Sequence, residues 1–263
     1  MSWLRPLGNT GLQVSAIGLG TVKLGRNREL KYPDSFSLPD DDSAAALLAQ
    51  ARELGINLID TAPAYGSSEV RLGKLLAGQR QHWLICSKVG EEFEQEQSRF
   101  DFSAQHIRHS VQRSLRRLNT DTLDILLIHS DGNDLRIIEQ SDALETLAQL
   151  KSEGLIRSYG MSTKTVTGGL AAARSCDVVM LTYNPAQREE LPVLEFCRQQ
   201  QCAALVKKTL ASGHLATAVS GADPVQASMD LVLGHPATSA AIVGTISPAH
   251  LLANVTAARH AIG

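Results

Sequence analysis

Three apolar runs in this 263-residue chain end in a side chain that can carry or move a proton. Asn57-Leu58-Ile59 ends in Asp60, and Tyr65 follows shortly after. Leu84-Ile85-Cys86-Ser87 ends in Lys88, and the run from Leu123 to Ile128 ends in His129. Buried strands seldom end in titratable groups, so three in succession point to one site where parallel strands finish. A tyrosine with an ordinary pKa near ~10 is a poor acid at neutral pH. A neighbouring ammonium stabilises tyrosinate and is expected to lower that pKa, and Lys88 is the candidate. A partly buried ammonium needs a counterion, which Asp60 offers. His129, as a neutral imidazole, can hydrogen-bond a substrate oxygen and orient it.

This set suits protonation of a carbonyl oxygen while hydride arrives from another source. No side chain donates hydride, so the reading implies a nicotinamide cofactor. Other readings of the same residues stay open. A lone Asp at a strand end often caps a helix, and a His after an apolar strand is often a satisfied core residue. Asp60 and His129 could also be two ligands of a metal hydrolase. That reading lacks further His or carboxylate ligands at neighbouring strand ends, and no metal site is expected.

The elements that must position these residues follow a regular rhythm. The chain opens on a hairpin, with strands over 3–7 and 12–14 flanking the turn-forming Gly8-Asn9-Thr10-Gly11. Strands are then expected at 17–20, 57–60, 84–87, 123–129, 156–161, 178–181, 203–206 and 240–243. Helical stripes fall between them, as in 43–54 with Leu47, Leu48, Ala51 and Leu54. Ser103 and Ser247 read as N-caps, the latter with Pro248 at the first helical position. Eight strands alternating with eight helices predict an α/β fold, a (β/α)8 TIM barrel with an N-terminal β-hairpin, in one domain over 1–263. No GxGxxG opens a strand–turn–helix, which argues against an open doubly wound sheet. Two charged stretches, 23–42 with Lys23, Arg26, Arg28, Lys31, Tyr32 and Phe36, and 91–103 with four glutamates, read as solvated loops over the barrel mouth.

Composition agrees with an ordinary globular protein. The chain is 43% hydrophobic and 20% charged with a net charge of −2, which argues against nucleic acid as the main partner. No apolar run approaches the roughly 18 residues of a membrane span, so no membrane partner is expected. The N-terminal MSWLRPLGNTG has no apolar signal core, and a cytoplasmic location is expected. Cys86, Cys176, Cys197 and Cys202 form no CxxC pair and read as buried thiols.

The chain resembles an aldo-keto reductase over nearly its whole length. LGNTGLQVSAIGLGT is similar to that family's opening hairpin and first strand. DTAPAYGSSEVRLGKLL resembles its Asp…Tyr segment, SKVG its lysine segment, LLIHS its histidine segment, and IVGTISPAHLLANV its adenosine-binding turn and last helix. The resemblance implies Tyr65 as general acid, Lys88 and Asp60 as its tuning pair, and His129 as the orienting group. It implies NADPH as hydride donor, with NADH as an alternative, and an aldehyde or ketone as the small-molecule substrate. A cofactor-binding regulatory or sensor protein with little turnover is the competing reading, and the oligomeric state is left open.

Cofactor contacts follow from the same resemblance. Gly20, Thr21 and Asp60 belong to the floor of the cleft. Ser162 and Thr163 fall at the carboxamide, although an asparagine is usual at the second position. Leu210 and Ser212 lie in the loop that crosses the pyrophosphate. Gly244, Thr245, Ser247, His250 and Asn254 match the adenosine end, where a helix N-terminus suits a phosphate. Many members carry lysine at the Gly244 position and arginine at the His250 position, so a modest preference for NADPH over NADH is expected. Met180 replaces a common glutamine, Val22 a common large aromatic, and Lys207 an aromatic that often stacks on the nicotinamide. Alternation along the seventh strand is expected to turn one of Lys207 and Lys208 into the mouth and the other toward the helices, and the resemblance implies that Lys207 is the inward one.

Overall fold

The structure, a computed structural model, describes residues 2–30, 35–213 and 223–263. Strands β1 (Leu4–Pro6) and β2 (Gln13–Ser15) form the opening antiparallel hairpin, with Leu4 opposite Ser15. Next come β3 (Ile17–Gly20), β4 (Leu58–Asp60) and β5 (Leu84–Val89). A second antiparallel hairpin, β6 (Glu91–Glu94) and β7 (Gln97–Phe100), follows at once. Then come β8 (Leu123–His129), β9 (Ile156–Ser162), β10 (Val178–Thr182), β11 (Ala203–Lys207) and β12 (Thr238–Gly244). Among the described strands, β3, β4, β5, β8, β9, β10, β11 and β12 close in that order into a parallel barrel, β12 pairing back onto β3. This is the (β/α)8 TIM barrel with its N-terminal hairpin. No described helix is long and apolar enough to cross a membrane.

Two helices start at the caps the sequence places, Ser103 and Ser247, and a third starts at Thr165. Ser103 Oγ accepts from His106 N at 3.3 Å, Thr165 Oγ1 from Gly168 N at 3.1 Å, and Ser247 Oγ from His250 N at 3.3 Å. Each satisfies a donor that the first helical turn leaves without a partner. Apolar stripes such as Ile107, Val111 and Leu118 then seat against the outward faces of the strands.

Strand alternation divides the core in two. Outward residues such as Ile59, Ile85, Leu126 and Val206 pack with the helices. Inward residues, among them Leu58, Cys86, Ile125, Leu127, Met180, Leu205 and Ile242, form a separate cluster inside the barrel. Leu7, Leu12 and Val14 of the opening hairpin join that inner cluster, so the hairpin plugs the amino-terminal end. The period of two then fixes what the other end presents. Two residues beyond Leu58 is Asp60; beyond Cys86, Lys88; beyond Leu127, His129; beyond Met180, Thr182; beyond Leu205, Lys207. All continue the inward row to the mouth.

Three expectations need correction. Lys88 lies inside β5, which runs on to Val89, instead of closing the strand. The stretch 91–103 is largely the β6–β7 hairpin instead of a loop, exposed to solvent along β7. Its turn residues Gln95 and Glu96 both adopt positive φ, at 49° and 63°, without the Asn or Gly that normally signals such a turn. An unforeseen helix, Asp134–Gln140, precedes Ala143–Ser152. Lys31 and Tyr32 lie outside the described residues.

Gly160 marks the tightest strand contact. A Cβ there would overlap the carbonyl oxygen of Val178 on the adjacent strand, and neither backbone can rotate away. Gly160→Ala is expected to cost about 3 kcal/mol, the upper end for overpacking, measured as a lower urea midpoint with far-UV signal retained. An unchanged midpoint would show that β9 and β10 can separate.

Candidate active site

Asp60 and Lys88 are both buried at the barrel mouth, and the ammonium donates to Asp60 Oδ1 at 2.5 Å and to the Thr61 carbonyl at 2.9 Å. Register brings the strands together here, with Gly20 beside Asp60 and Gly20 also beside Gly244. Thr21 Oγ1 donates to the Asp60 carbonyl at 2.8 Å and accepts from Ser68 Oγ at 2.9 Å, so a buried hydroxyl chain ties the end of β4 to the next helix. Tyr65 sits at the end of the turn Pro63–Tyr65, followed by Gly66 at φ 61°. Gly25 packs directly on that turn; a Cβ there would overlap Tyr65 O. The Lys88 ammonium lies 4.6 Å from the Tyr65 ring centroid, and the His129 ring stands edge-on to Tyr65 at 6.3 Å.

The electrostatics of this group differ from expectation. Burial pushes the Tyr65 phenol up; Lys88 opposes it, Asp60 reinforces it, and the net displacement is upward. The expected lowering by Lys88 is therefore outweighed. Burial would lower Lys88, but Asp60 and Tyr65 raise it by more, and it stays an ammonium. His129 is lowered, first by burial and then by Lys88 and Lys207, against the pull of Glu91.

Glu91 was read only as part of a charged stretch. It lies at the start of β6, where its Oε2 comes 2.7 Å from His129 Nδ1 and its Oε1 accepts from Ser98 Oγ at 2.6 Å. The imidazole and the carboxylate are close, but no hydrogen bond joins them, and Nδ1 is shut off from solvent without a partner. The hairpin is held over the mouth by Phe93, whose ring carries the Arg26 guanidinium at 3.3 Å. Gly90, at φ 99°, lies between the end of β5 and Glu91 at the start of β6. No spacing in the sequence announces the proximity of Glu91 and His129.

A cavity of about 1100 Å³ opens above these residues. Asp60, Tyr65, Lys88 and His129 line it together with Gly20, Thr21, Ser162, Thr163, Lys207, Leu210, Ser212, Gly244, Thr245, His250 and Asn254. Ser247 does not; it serves the helix start as an N-cap. Lys207 turns inward and donates to Ser162 Oγ at 2.8 Å and to the Thr163 carbonyl at 2.6 Å. Burial lowers its pKa to about 8, with Glu190 opposing and three other lysines reinforcing. Lys208 does not point to the helices as expected. It takes φ 54°, leaves the strand alternation, and stays exposed at the rim of the same cavity. Glu190, missed in the sequence, is buried in the cavity wall with Oε1 accepting from Thr182 N at 3.1 Å. Its Oε2 and the hydroxyl of Thr163 have no partner.

The family model for the aldo/keto reductase family matches residues 16–230. The chain belongs to the aldo/keto reductase family. A crystal structure from Pseudomonas aeruginosa, provisionally described as an aldo-keto reductase, is 57% identical with a TM-score of 0.90; the match covers 99% of this chain and 96% of that one. An L-galactose dehydrogenase of Arabidopsis thaliana is 39% identical over 60% of this chain and 48% of its own length. An NADH-specific methylglyoxal reductase of Escherichia coli is 30% identical over 80% of this chain and 68% of its own length. The chain thus spans about half the length of the Arabidopsis relative. In this aldo/keto reductase Met180, Thr163 and Glu190 line the cavity together, and Thr163 Oγ1 and Glu190 Oε2 are buried polar atoms without partners.

Glu91 also gives the fold an acid-sensitive contribution. Burial alone would raise its carboxyl, but His129, Ser98 and Arg26 bring it down to about 2. A depressed carboxyl stabilises the fold above about pH 4.5, and that contribution fades as pH falls toward 2. Glu91→Gln is expected to be less stable than the parent by roughly 2–3 kcal/mol at pH 6 and to match it near pH 2. Urea titrations across that range measure it, and parallel curves at both pH values would refute it.

Proposed function

We propose that this chain is an NAD(P)H-dependent reductase that converts aldehydes or ketones to alcohols. The observation that carries the reading is the convergence of a protonated phenol, a buried ammonium–carboxylate pair and an imidazole on one large cavity. Its volume of about 1100 Å³ exceeds the upper range of ordinary small-ligand clefts, and suits a dinucleotide with a small substrate beside it. The partnerless Thr163 Oγ1 and Glu190 Oε2, with the Ser162 hydroxyl, fit the hydrogen-bonding edge of a carboxamide. Gly244, Thr245, Asn254 and the helix start at Pro248 fit the adenosine end. Bound there, a nicotinamide dinucleotide supplies the hydride.

The chain's own residues supply the proton. Tyr65 keeps its proton through the neutral range because burial disfavours tyrosinate. The proton leaves only as negative charge grows on the substrate oxygen, and Lys88 then stabilises the tyrosinate left behind. Asp60 keeps Lys88 charged and fixed. His129 faces the same space and sets the orientation of the substrate.

Tyr65→Phe is expected to lower kcat for a generic aldehyde by at least about a hundredfold while the NADPH dissociation constant stays within a few fold. Steady-state turnover and fluorescence titration test this together. A variant that keeps half the parental kcat would remove Tyr65 as the acid. Absence of turnover in the parent across an aldehyde panel would favour the binding-protein reading.

Lys207 generates a second test. An ammonium in the cavity disfavours an oxidised nicotinamide, which is positive, relative to the neutral reduced ring. The protein is expected to bind NADPH more tightly than NADP⁺ at pH 7. The gap should narrow as pH rises through about 8, where Lys207 loses its proton. Lys207→Met should show the narrow gap at every pH. Paired titrations of both cofactor forms decide it; a gap indifferent to pH and to the substitution would move the ammonium out of reach.

A further inference from the structure

We infer that Lys207 captures small aldehydes as a reversible imine on its Nζ when the cavity holds no cofactor. The capture goes beyond the reductase reading and needs only the cavity; its competition with the cofactor rests on that reading.

Two inward lysines share the cavity in opposite surroundings. Lys88 lies 2.5 Å from Asp60 Oδ1 and stays an ammonium, whose nitrogen has no lone pair to give. Lys207 stands at the end of β11, and among the described residues no carboxylate comes within ion-pair distance of it. Its hydrogen bonds go to uncharged oxygens, Ser162 Oγ at 2.8 Å and the Thr163 carbonyl at 2.6 Å. Two acceptors match the two hydrogens of a neutral amine and leave its lone pair uncommitted. Burial favours that neutral form; Glu190 opposes it, Lys208, Lys164 and Lys88 reinforce it, and the pKa falls to about 8. An ordinary lysine near ~10.4 offers roughly two hundredfold less free amine at pH 7. A desolvated lysine beside other cations is the arrangement that turns an amine into a nucleophile toward carbonyl compounds.

Glu190 is the companion acid–base group. Strands β10 and β11 pair with Thr182 opposite Lys207, and Thr182 N donates to Glu190 Oε1 at 3.1 Å. That register brings the carboxyl to the Lys207 side of the cavity, where its Oε2 is buried without a partner. Burial raises the Glu190 carboxyl, which suits a group that must both take and return a proton.

The chemistry balances without a co-reactant. The Nζ lone pair bonds to the carbonyl carbon, the C=O π pair moves to oxygen, and that oxygen takes one amine proton. The carbinolamine then loses its hydroxyl as water, together with the second amine proton, and the C=N bond forms. Glu190 relays these protons. Nothing is oxidised or reduced, and water reverses both steps. The Ser162 hydroxyl that holds Lys207 is one of the groups proposed for the carboxamide of the cofactor, and Glu190 is another. Adduct and cofactor therefore exclude each other.

The test traps the imine on the full chain. Butanal with cyanoborohydride at pH 7, dosed to less than one adduct per molecule, converts the imine to a stable butyl-lysine. Peptide mapping with fragment sequencing ranks the lysines and separates Lys207 from Lys208. The terminal amine falls in its own peptide and is left out of the ranking. Lys207 is expected to label at least about tenfold faster than any other lysine, since burial and lower basicity offset only part of its excess of free amine. Lys208→Met should keep that adduct and Lys207→Met should lose it. Labelling spread evenly over the lysines, or led by Lys164 or Lys208, overturns the inference. The parent map decides even where a variant does not fold.

The same labelling after saturation with NADP⁺, which brings no hydride, tests the competition. Lys207 is expected to fall to the level of the other lysines, whose labelling stays as before. A Lys207 adduct that forms unchanged overturns the competition and leaves the imine site standing. Failure of the reductase reading shows separately, as no turnover across an aldehyde panel, and does not alter the parent map.

Discussion

A lysine ammonium cannot remain charged at a buried strand end without an anion in direct contact, and the mouth of this barrel is arranged around that requirement. Lys88 and Asp60 stand on adjacent strands and are nearly closed to solvent. Removing either partner would leave an uncompensated charge, a loss of about 3–5 kcal/mol in buried pairs. The pair therefore constrains its surroundings. The Thr61 carbonyl takes another ammonium proton, and the Thr21–Ser68–Thr61 hydroxyls fix the chain on either side of Asp60. The turn that carries Tyr65 begins from that fixed point, and Gly25 lets it pack close.

The second constraint is geometric. Inward side chains fill the barrel in layers from the hairpin plug upward, and the next inward position on each strand meets the cavity. The same alternation that buries Leu58, Cys86, Leu127 and Leu205 delivers Asp60, Lys88, His129 and Lys207. Their proximity creates the electrostatic pattern. Burial lowers both His129 and Lys207; Lys88 and Lys207 add to it at His129, and neighbouring lysines add to it at Lys207. Asp60 and the partly buried Glu91 offset this positive charge, while burial raises Glu190 against the opposing pull of Lys207.

Much of this was legible in the chain. Eight apolar runs at regular spacing, helix caps at Ser103 and Ser247, and the opening turn at Gly8-Asn9-Thr10-Gly11 specify the barrel, because periodicity and capping are local chemistry. Asp60, Tyr65, Lys88 and His129 stood out because each breaks or follows an apolar run. Parity required one of Lys207 and Lys208 to face inward, and the resemblance to the family picked Lys207. Lys208 escaped the same rule because its backbone leaves the strand at positive φ, which a lysine does not advertise.

The residues that only the tertiary structure revealed lie where the chain returns to the site from outside the barrel. The β6–β7 hairpin has no turn signature, so nothing local placed Glu91 against His129, and Glu190 reaches the cavity wall from the loop before a helix. The displacement of Tyr65 was likewise decided by packing. Its sign depends on whether burial or Lys88 is the larger effect, and burial is a property of the assembled mouth. Sequence by itself determined which groups exist, in which strand and on which face, since those follow from a period of two and from side-chain chemistry. Distances between groups on separate elements, and the proton each one keeps, belong to the tertiary structure, because Coulomb interaction and desolvation act through space and not along the chain.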